Sequence, residues 1–225
     1  NIQLAGFTVG LADSVYSSFI GYAGNVINDD VIGYGPFELN QINYTYDGGN
    51  GFRATIALED DGEYGVDNIR SVWAPGNKAS GYMVDVVAGL GYSTGAFGFT
   101  VVGGYDESAN EGAIKARVDG TFGNITAFLM GGWNTDGRFN NKYAGWGGDW
   151  AVWGGASAKF TDTLAGNIQL SYDDAETFAA AANVQWHPVQ NLLIQPEVTY
   201  TKYDNPRNVG SESQWNGMIR FERQF

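Results

Sequence analysis

Charged residues alternate with apolar residues in several stretches of the chain, and this spacing indicates what the charges can do. Between residues 114 and 122, Lys115, Arg117 and Asp119 take every second position. Because alternate side chains of an extended strand point to opposite faces, these charges form a polar row behind an apolar one. Such a row can attract and orient polar solutes. The basic residues that alternation places on polar faces are Arg53, Lys115, Arg117, Lys159 and Arg220.

Residue types that carry out covalent chemistry are sparse. His187 is the only histidine, and no serine lies in a recognisable setting for nucleophilic catalysis. The acidic pairs 60–61 and 173–174 could bind Ca²⁺ through carboxylate oxygens, although solvated charge is the favoured interpretation. The glycine-rich run 146–149 lacks the Lys-Ser/Thr of a phosphate-binding loop. We therefore expect no enzymatic activity, no metal site and no cofactor.

The charged rows must lie on β-strands, which are predicted where apolar and polar residues alternate with a period of two. Segments with this period recur along the chain with turn residues between them, and no stretch sustains a helical period. Most are near the roughly nine to eleven residues that cross a bilayer when tilted. The pattern predicts an all-β fold, a transmembrane antiparallel β-barrel with about twelve strands in this chain. The first strand is expected near residues 2–11.

Composition agrees with this class and excludes others. The 225 residues include 33 glycines and no cysteine, and the net charge of −13 argues against a nucleic-acid partner. No window offers the roughly 18 unbroken apolar residues of a membrane helix. If the protein is exported, we expect its signal peptide to have been removed already, because the first residues lack a basic region followed by an apolar one.

A soluble β-sandwich is the structural alternative, and the position of the aromatic residues disfavours it. Aromatic side chains stand at the ends of the apolar stripes while small or aliphatic residues fill the middles, as in the girdles of membrane barrels. The last strand follows the same alternation and ends on an aromatic residue. The predicted girdle residues are Tyr82, Tyr92, Phe97, Tyr105, Trp186, Tyr200, Trp215 and Phe225.

Connections between strands alternate in length. Tight turns are expected on the periplasmic side at 93–96, 123–124 and 188–191, and long loops outside at 60–80, 134–149 and 202–214. The connection 12–40 differs, because side chains such as Val31, Ile32 and Phe37 make it too apolar for a solvated loop. Folding it into the barrel would bury them.

Several long and irregular runs resemble the outer-membrane porins of alphaproteobacteria. The runs are GYAGNVIND (21–29), YGPF (34–37), GGDWAVWGGAS (147–157), QLSYDD (169–174) and FAAAANV (178–184). The resemblance implies a sixteen-stranded, homotrimeric general-diffusion porin of the Gram-negative outer membrane, surrounded by lipid and lipopolysaccharide, with its third extracellular loop folded inward. Residues 12–40 would be that loop within a single barrel domain, 1–225. The departure is at the front: about twelve strands, with this loop after the first, predict that about four N-terminal strands of the family pattern are absent. The alternative is that twelve strands close into a barrel alone.

The charges that line the narrowest point of a porin set its selectivity. On this interpretation the inward loop carries Asp29, Asp30 and Glu38, which would face the five basic residues of the wall. The alternative is that all of these are ordinary solvated charges. The function that follows is passive diffusion of small hydrophilic solutes and ions through a water-filled channel. A structural or adhesive barrel whose outer loops bind partners is the alternative function.

Overall fold

The structure is a computed structural model that describes residues 1–60, 83–137, 141–203 and 213–224. Asp61, Tyr82 and Phe225, considered above, lie outside these ranges. Within them, no helix is long and apolar enough to cross a membrane. One antiparallel sheet of thirteen strands follows the order of the chain, each strand pairing with the next. The elements are β1 (Ile2–Leu4), β2 (Phe7–Asp13), α1 (Val15–Ser18), β3 (Glu38–Asp47), β4 (Phe52–Glu59), β5 (Asp85–Ser93), β6 (Phe97–Asp106), β7 (Glu111–Phe122), β8 (Ile125–Asn134), β9 (Trp150–Lys159), β10 (Leu164–Asp173), β11 (Thr177–Trp186), β12 (Leu192–Tyr203) and β13 (Ser213–Arg223).

The expectation of one continuous strand near residues 2–11 is wrong, which brings the number of described strands to thirteen. The chain turns at Ala5 and Gly6, whose φ angles of 50° and 88° lie in the left-handed region. The strand β1 therefore folds back on β2, with Leu4 opposite Phe7. The sequence does carry a signal for the break, because its apolar stripe shifts from even to odd positions between these two residues.

The two faces of the sheet are inverted relative to those of a soluble protein. Along β3, Ile42 and Tyr44 are exposed whereas Gln41 and Asn43 are buried. Cross-strand partners share a face, as Ile42 does with Leu58, so the arrangement repeats from strand to strand. An apolar outside and a polar inside suit lipid and a polar lumen. The transmembrane β-barrel fold class is confirmed, although among the described strands no ladder joins β1 to β13.

Exposed and partly exposed aromatic rings form two belts near the ends of the strands. At one end Phe97 and Phe122 lie with ring centroids 5.7 Å apart. At the other end Tyr200 lies between Phe178 and Trp215, at 6.3 Å and 4.8 Å. Amphipathic and aromatic rings at these levels match the two membrane–water interfaces.

The two ends of the sheet differ in their connections. The end termed here the short-turn end carries the turns 48–51, 94–96, 123–124, 160–163 and 187–191. The opposite, long-loop end carries the connection 14–37 and the described parts, 135–137 and 141–149, of the connection from β8 to β9, together with the brief turns 107–110 and 174–176. The two longer connections turn back into the sheet, and they build the site described next.

Candidate functional site

Residues 14–37, termed the inward segment, join β2 to β3 through the inside of the sheet. The segment is shorter than the expected 12–40 because Asp13 and Glu38 pair with each other as the last and first residues of their strands. Its first turn is α1, where the Ser14 hydroxyl accepts from the amide of Tyr16. Its buried apolar residues are Val15, Tyr16, Phe19, Ile20, Ala23, Val26, Ile32 and Tyr34, and they face Ala57, Val87, Val102, Ala113, Met130, Ala151 and Trp153 of β4 to β9.

Glu59 fastens the start of the inward segment to β4. Its side chain is fully buried and accepts hydrogen bonds from the Ser14 hydroxyl at 2.8 Å and from the backbone amide of Val15 at 2.8 Å. The hydroxyl of Tyr143 donates a third bond at 3.0 Å. Since an unpaired buried carboxylate is costly, these donors make the position of Glu59 tolerable and fix the geometry around it.

The loop between β8 and β9 also enters the sheet, so the expectation that 134–149 lies outside is wrong for residues 141–149. We term these residues the second inner loop. Tyr143 and Trp146 are buried there against two glycines of the wall. A Cβ atom on Gly104 would lie 2.6 Å from the Tyr143 ring, and one on Gly132 would lie 2.7 Å from the Trp146 ring. The missing side chains of these glycines create the recesses that admit the loop.

Two basic residues of β7 fasten the middle of the inward segment. Lys115 is fully buried between aromatic rings and donates to the backbone carbonyl of Tyr34. Arg117 donates to the backbone carbonyl of Tyr22 at 2.6 Å and forms an ion pair with Asp119, two residues along the same row, at 2.7 Å. Both cations therefore bind backbone oxygen of the segment, which holds it against the wall.

The tip of the inward segment, residues 22–30, crosses the sheet to β9–β12. Glu197 accepts hydrogen bonds from the backbone amides of Ile27 at 2.5 Å and of the next residue at 2.8 Å. The amide of Asn183 donates to Glu197 and to the backbone carbonyl of Asn25, each at 2.9 Å. Polar side chains of the far wall thus hold the tip by its backbone.

Carboxylates gather at this tip. Burial raises the pKa of Asp29 to about 6, and the negative charges of Asp30 and Glu197 act in the same direction. A hydrogen bond of 2.9 Å from the Tyr34 hydroxyl opposes the shift. Burial also raises the pKa of Tyr34 well above its ordinary value, so this hydroxyl remains a donor. Asp30 is exposed. We term Asp29, Asp30 and Glu197 the tip acids.

The remaining predicted site residues are spread along the lumen. Arg53 lies on the inner face of β4 with its guanidinium 4.9 Å from the ring centroid of Phe19. Lys159 is exposed at the short-turn end and pairs with Asp162 at 2.9 Å. Arg220 stands opposite Gln195 in the β12–β13 ladder.

Only some of these residues come near the tip. The amide of Gln195 reaches the Asn25 carbonyl at 3.3 Å, and Arg220 is the ladder partner of Gln195 on the next strand. Glu38 is exposed on the same face of β3 as Ile42, which places it with the outward-facing residues. The structure therefore brings Arg117 to the tip that carries Asp29 and Asp30, and separates that tip from Glu38 and from Lys159 at the short-turn end.

Sequence reasoning missed four residues that build the site. Alternation predicts a polar face for Asn183 and Glu197, but nothing in the sequence pairs them with a tip far away in the chain. Tyr143 and Trp146 belonged to a loop assumed to be outside. Glycines at inner-facing positions, such as Gly104 and its counterpart in β8, were the available signal.

A sheet with an apolar exterior, two aromatic belts and a polar interior defines an outer-membrane β-barrel protein. A profile of the porin subfamily matches residues 1–222, and the chain belongs to this family. The resemblance to alphaproteobacterial porins noted in the sequence is confirmed.

Named relatives agree with this assignment. Porin Omp2b of Brucella suis is 39% identical over 238 residues, and the match covers all of this chain and 64% of the relative. Porin Omp2b of Brucella neotomae is 40% identical over 228 residues, covering all of this chain and 62% of the relative. The chain thus spans less than two thirds of these curated relatives.

A solved structure supports the fold. The outer membrane channel DcaP of Acinetobacter baumannii superposes with a TM-score of 0.67, covering 96% of this chain and 70% of its own, at 14% identity. At that identity the likeness shows the fold alone.

Proposed function

We propose that the protein forms a water-filled channel for passive diffusion of small hydrophilic solutes and ions across the outer membrane. The observation that carries the proposal is the inward segment, which crosses a polar lumen and is fastened by Glu59 at its start, by Lys115 in its middle and by Glu197 at its tip. A segment held in this way can narrow a pore to a fixed width. The family and the named relatives support conduction over the adhesive alternative.

The constriction is proposed to lie beside the tip of the inward segment, on the side where Asp30 is exposed. The inward segment packs its apolar side chains against β4 to β9, which fills the lumen on that side. Solutes are proposed to pass along the exposed side of the tip, where Asp30 and an inner-face cation such as Arg220 would supply opposed charges. Opposed charges across a narrow passage create a transverse field that favours polar solutes over apolar ones.

The tip acids are proposed to give the channel a preference for cations. Asp29, Asp30 and Glu197 stand together, whereas the nearby cations Lys115 and Arg117 bind backbone carbonyls of the segment. A cluster of carboxylates at the narrowest point raises the local concentration of cations. The wider assembly proposed from the family resemblance is a sixteen-stranded barrel in a homotrimer, embedded in lipid and lipopolysaccharide, with no turnover chemistry.

Planar-bilayer recording of the folded protein tests this function. We expect stepwise ohmic conductance and, in a salt gradient, a reversal potential of the sign that marks cation preference. Asp29→Asn combined with Asp30→Asn should move the reversal potential toward zero. The matched control is Glu107→Gln combined with Glu176→Gln, which removes the same charge from two turns at the long-loop end. A folded protein that gives no steps would refute the channel, and equal shifts in both variants would remove Asp29 and Asp30 from the constriction.

A further inference from the structure

A cavity of about 350 Å³ lies between the tip of the inward segment and the inner faces of β7 to β9. A second cavity of about 310 Å³ shares Asn25, Thr126 and Ser157 with the first and continues to Asp162 and His187 at the short-turn end. The pair therefore forms one chamber that opens toward the short-turn end. Toward the long-loop end, the apolar packing of the inward segment closes the chamber.

The charges in this chamber neutralise one another. The guanidinium of Arg117 donates to both carboxylate oxygens of Asp119, with bonds of 2.7 Å to 3.0 Å, and its remaining terminal nitrogen donates to the Tyr22 carbonyl. The side chain of Asp119 nevertheless remains 44% exposed, so its carboxylate can still accept hydrogen bonds from a ligand. Because Arg117 and Asp119 pair with each other, they offer a ligand hydrogen-bond acceptors while adding no net charge to the site.

Neutral polar groups complete the lining. The hydroxyls of Thr121 and Thr126 are opposite one another in the β7–β8 ladder, and both residues are exposed to the chamber. Asn25 lies beside them, with its amide donating to the Ser157 hydroxyl at 2.9 Å. Hydroxyls both donate and accept, which suits a ligand that does the same at several points.

An aromatic surface faces these polar groups. The ring of Phe128 lies with its centroid 4.3 Å from the Arg117 guanidinium, and it fits only because residue 155 is glycine, where a Cβ would come within 2.5 Å of the ring. Tyr22 contributes a second ring, and both residues line the chamber. Aromatic rings provide a rigid apolar platform beside the polar groups that orient a ligand.

We propose that this chamber binds a neutral polyhydroxylated solute of the size of a mono- or disaccharide. The hydroxyls of the solute bond to Asp119, Thr121 and Thr126, and its apolar C–H face packs on Phe128 and Tyr22. A charged solute gains little binding energy here, because Arg117 and Asp119 already neutralise each other. The proposal rests on the proposed function and deepens it by naming a solute class and a place beside the inward segment where that solute binds.

Equilibrium dialysis of maltose against the folded, detergent-solubilised protein tests the site without requiring conduction. We expect saturable binding that is weakened about tenfold or more by Thr121→Val combined with Thr126→Val, because two hydrogen bonds are lost while the side-chain shape is kept. The matched control is Thr199→Val on β12, whose hydroxyl is buried without a partner in the described structure, and which should leave binding unchanged.

Two results would overturn the proposal. One is the absence of saturable maltose binding to protein that is folded and conducts ions, which would leave the channel function standing. The other is equal weakening by Thr199→Val and by the paired threonine variant, because the effect would then not come from the chamber. Conversely, maltose binding in a protein that gives no conductance steps would refute the channel while supporting the site.

Discussion

The hydroxyl of Tyr143 donates a 3.0 Å hydrogen bond to Glu59, the same buried carboxylate that binds Ser14 and Val15 at the start of the inward segment. Burial and the charges of neighbouring acids raise the pKa of Tyr143 well above its ordinary value, so it stays a donor. One acid therefore joins two connections that are far apart in the chain. The inward segment and the second inner loop are held as a unit.

Tyr143→Phe should lower the free energy of unfolding by about 1.5–3 kcal/mol, since it removes a hydrogen bond to a buried charged group. Guanidinium unfolding of the detergent-solubilised protein, followed by tryptophan fluorescence, measures the change. Tyr105→Phe is the control, because that hydroxyl bonds Asn110 at an exposed turn and its loss should cost much less. Equal losses in the two variants would contradict the joining role of Glu59.

Lys115→Met should disturb the inward segment without changing ion preference. The ammonium group is fully buried and donates to the Tyr34 carbonyl, so it is screened from the passage but needed to hold the segment. We expect increased open-channel current noise and a reversal potential close to that of the parent protein. Arg220→Met, at an exposed position opposite Gln195, should instead shift the reversal potential toward stronger cation preference. A shift from Lys115→Met as large as that from Arg220→Met would make Lys115 a lining charge.

Cation preference should fall as the pH is lowered through about 6. Burial raises the pKa of Asp29 to about 6 from its ordinary 3.8, so this group becomes neutral well above the pH at which a solvated aspartate does. The raised pKa means that the folded state binds the proton more tightly than the unfolded state. Its contribution to stability is therefore fully present below pH 3.8 and is lost as the pH rises through about 6.

Reversal potentials measured from pH 4.5 to pH 8 check this titration, and Asp29→Asn provides the control. The variant should have a weaker cation preference at pH 8 and should lose the step near pH 6. If the parent and the variant show the same step, the titrating group is a different one.

The sequence predicted the fold because alternation is a local property. The alternation within each strand indicates which face meets lipid. In β3 it predicts that Ile42 faces lipid and Gln41 faces the lumen, and the structure agrees. Apolar residues in a long connection, such as Ile32, also predict burial of that connection, and Ile32 is buried in the structure. Alternation did not predict the hairpin at Ala5. The strand before it is only three residues long, too short for its apolar stripe to define a separate strand.

The partners of the inward segment were not predictable, because they depend on which strands face each other across the lumen. Lys115 illustrates this: alternation placed it correctly on the inner face, but only the three-dimensional arrangement shows that it binds the Tyr34 carbonyl. Glu197 was likewise placed on a polar face without any indication that it holds the tip. Periodicity predicts which face of the sheet a side chain occupies. It does not predict which residue that side chain contacts across the lumen.

Gly132→Ala should displace the second inner loop, because the new Cβ would lie 2.7 Å from the buried ring of Trp146, closer than real contacts allow. The neighbouring substitution Gly131→Ala is a matched control, since its Cβ would find only ordinary contact, with the Ala151 carbonyl at 3.9 Å. We expect Gly132→Ala to cost about 1–3 kcal/mol in unfolding free energy, as overpacking typically does, and Gly131→Ala to cost little.

The same pair of variants separates stability from conduction. Displacement from the recess pushes the Trp146 ring toward the lumen, so Gly132→Ala should also lower single-channel conductance, whereas Gly131→Ala on the lipid-facing side should not. Guanidinium unfolding and planar-bilayer recording of both variants measure the two effects. Unchanged conductance in a destabilised Gly132→Ala protein would show that the second inner loop supports the wall without narrowing the passage.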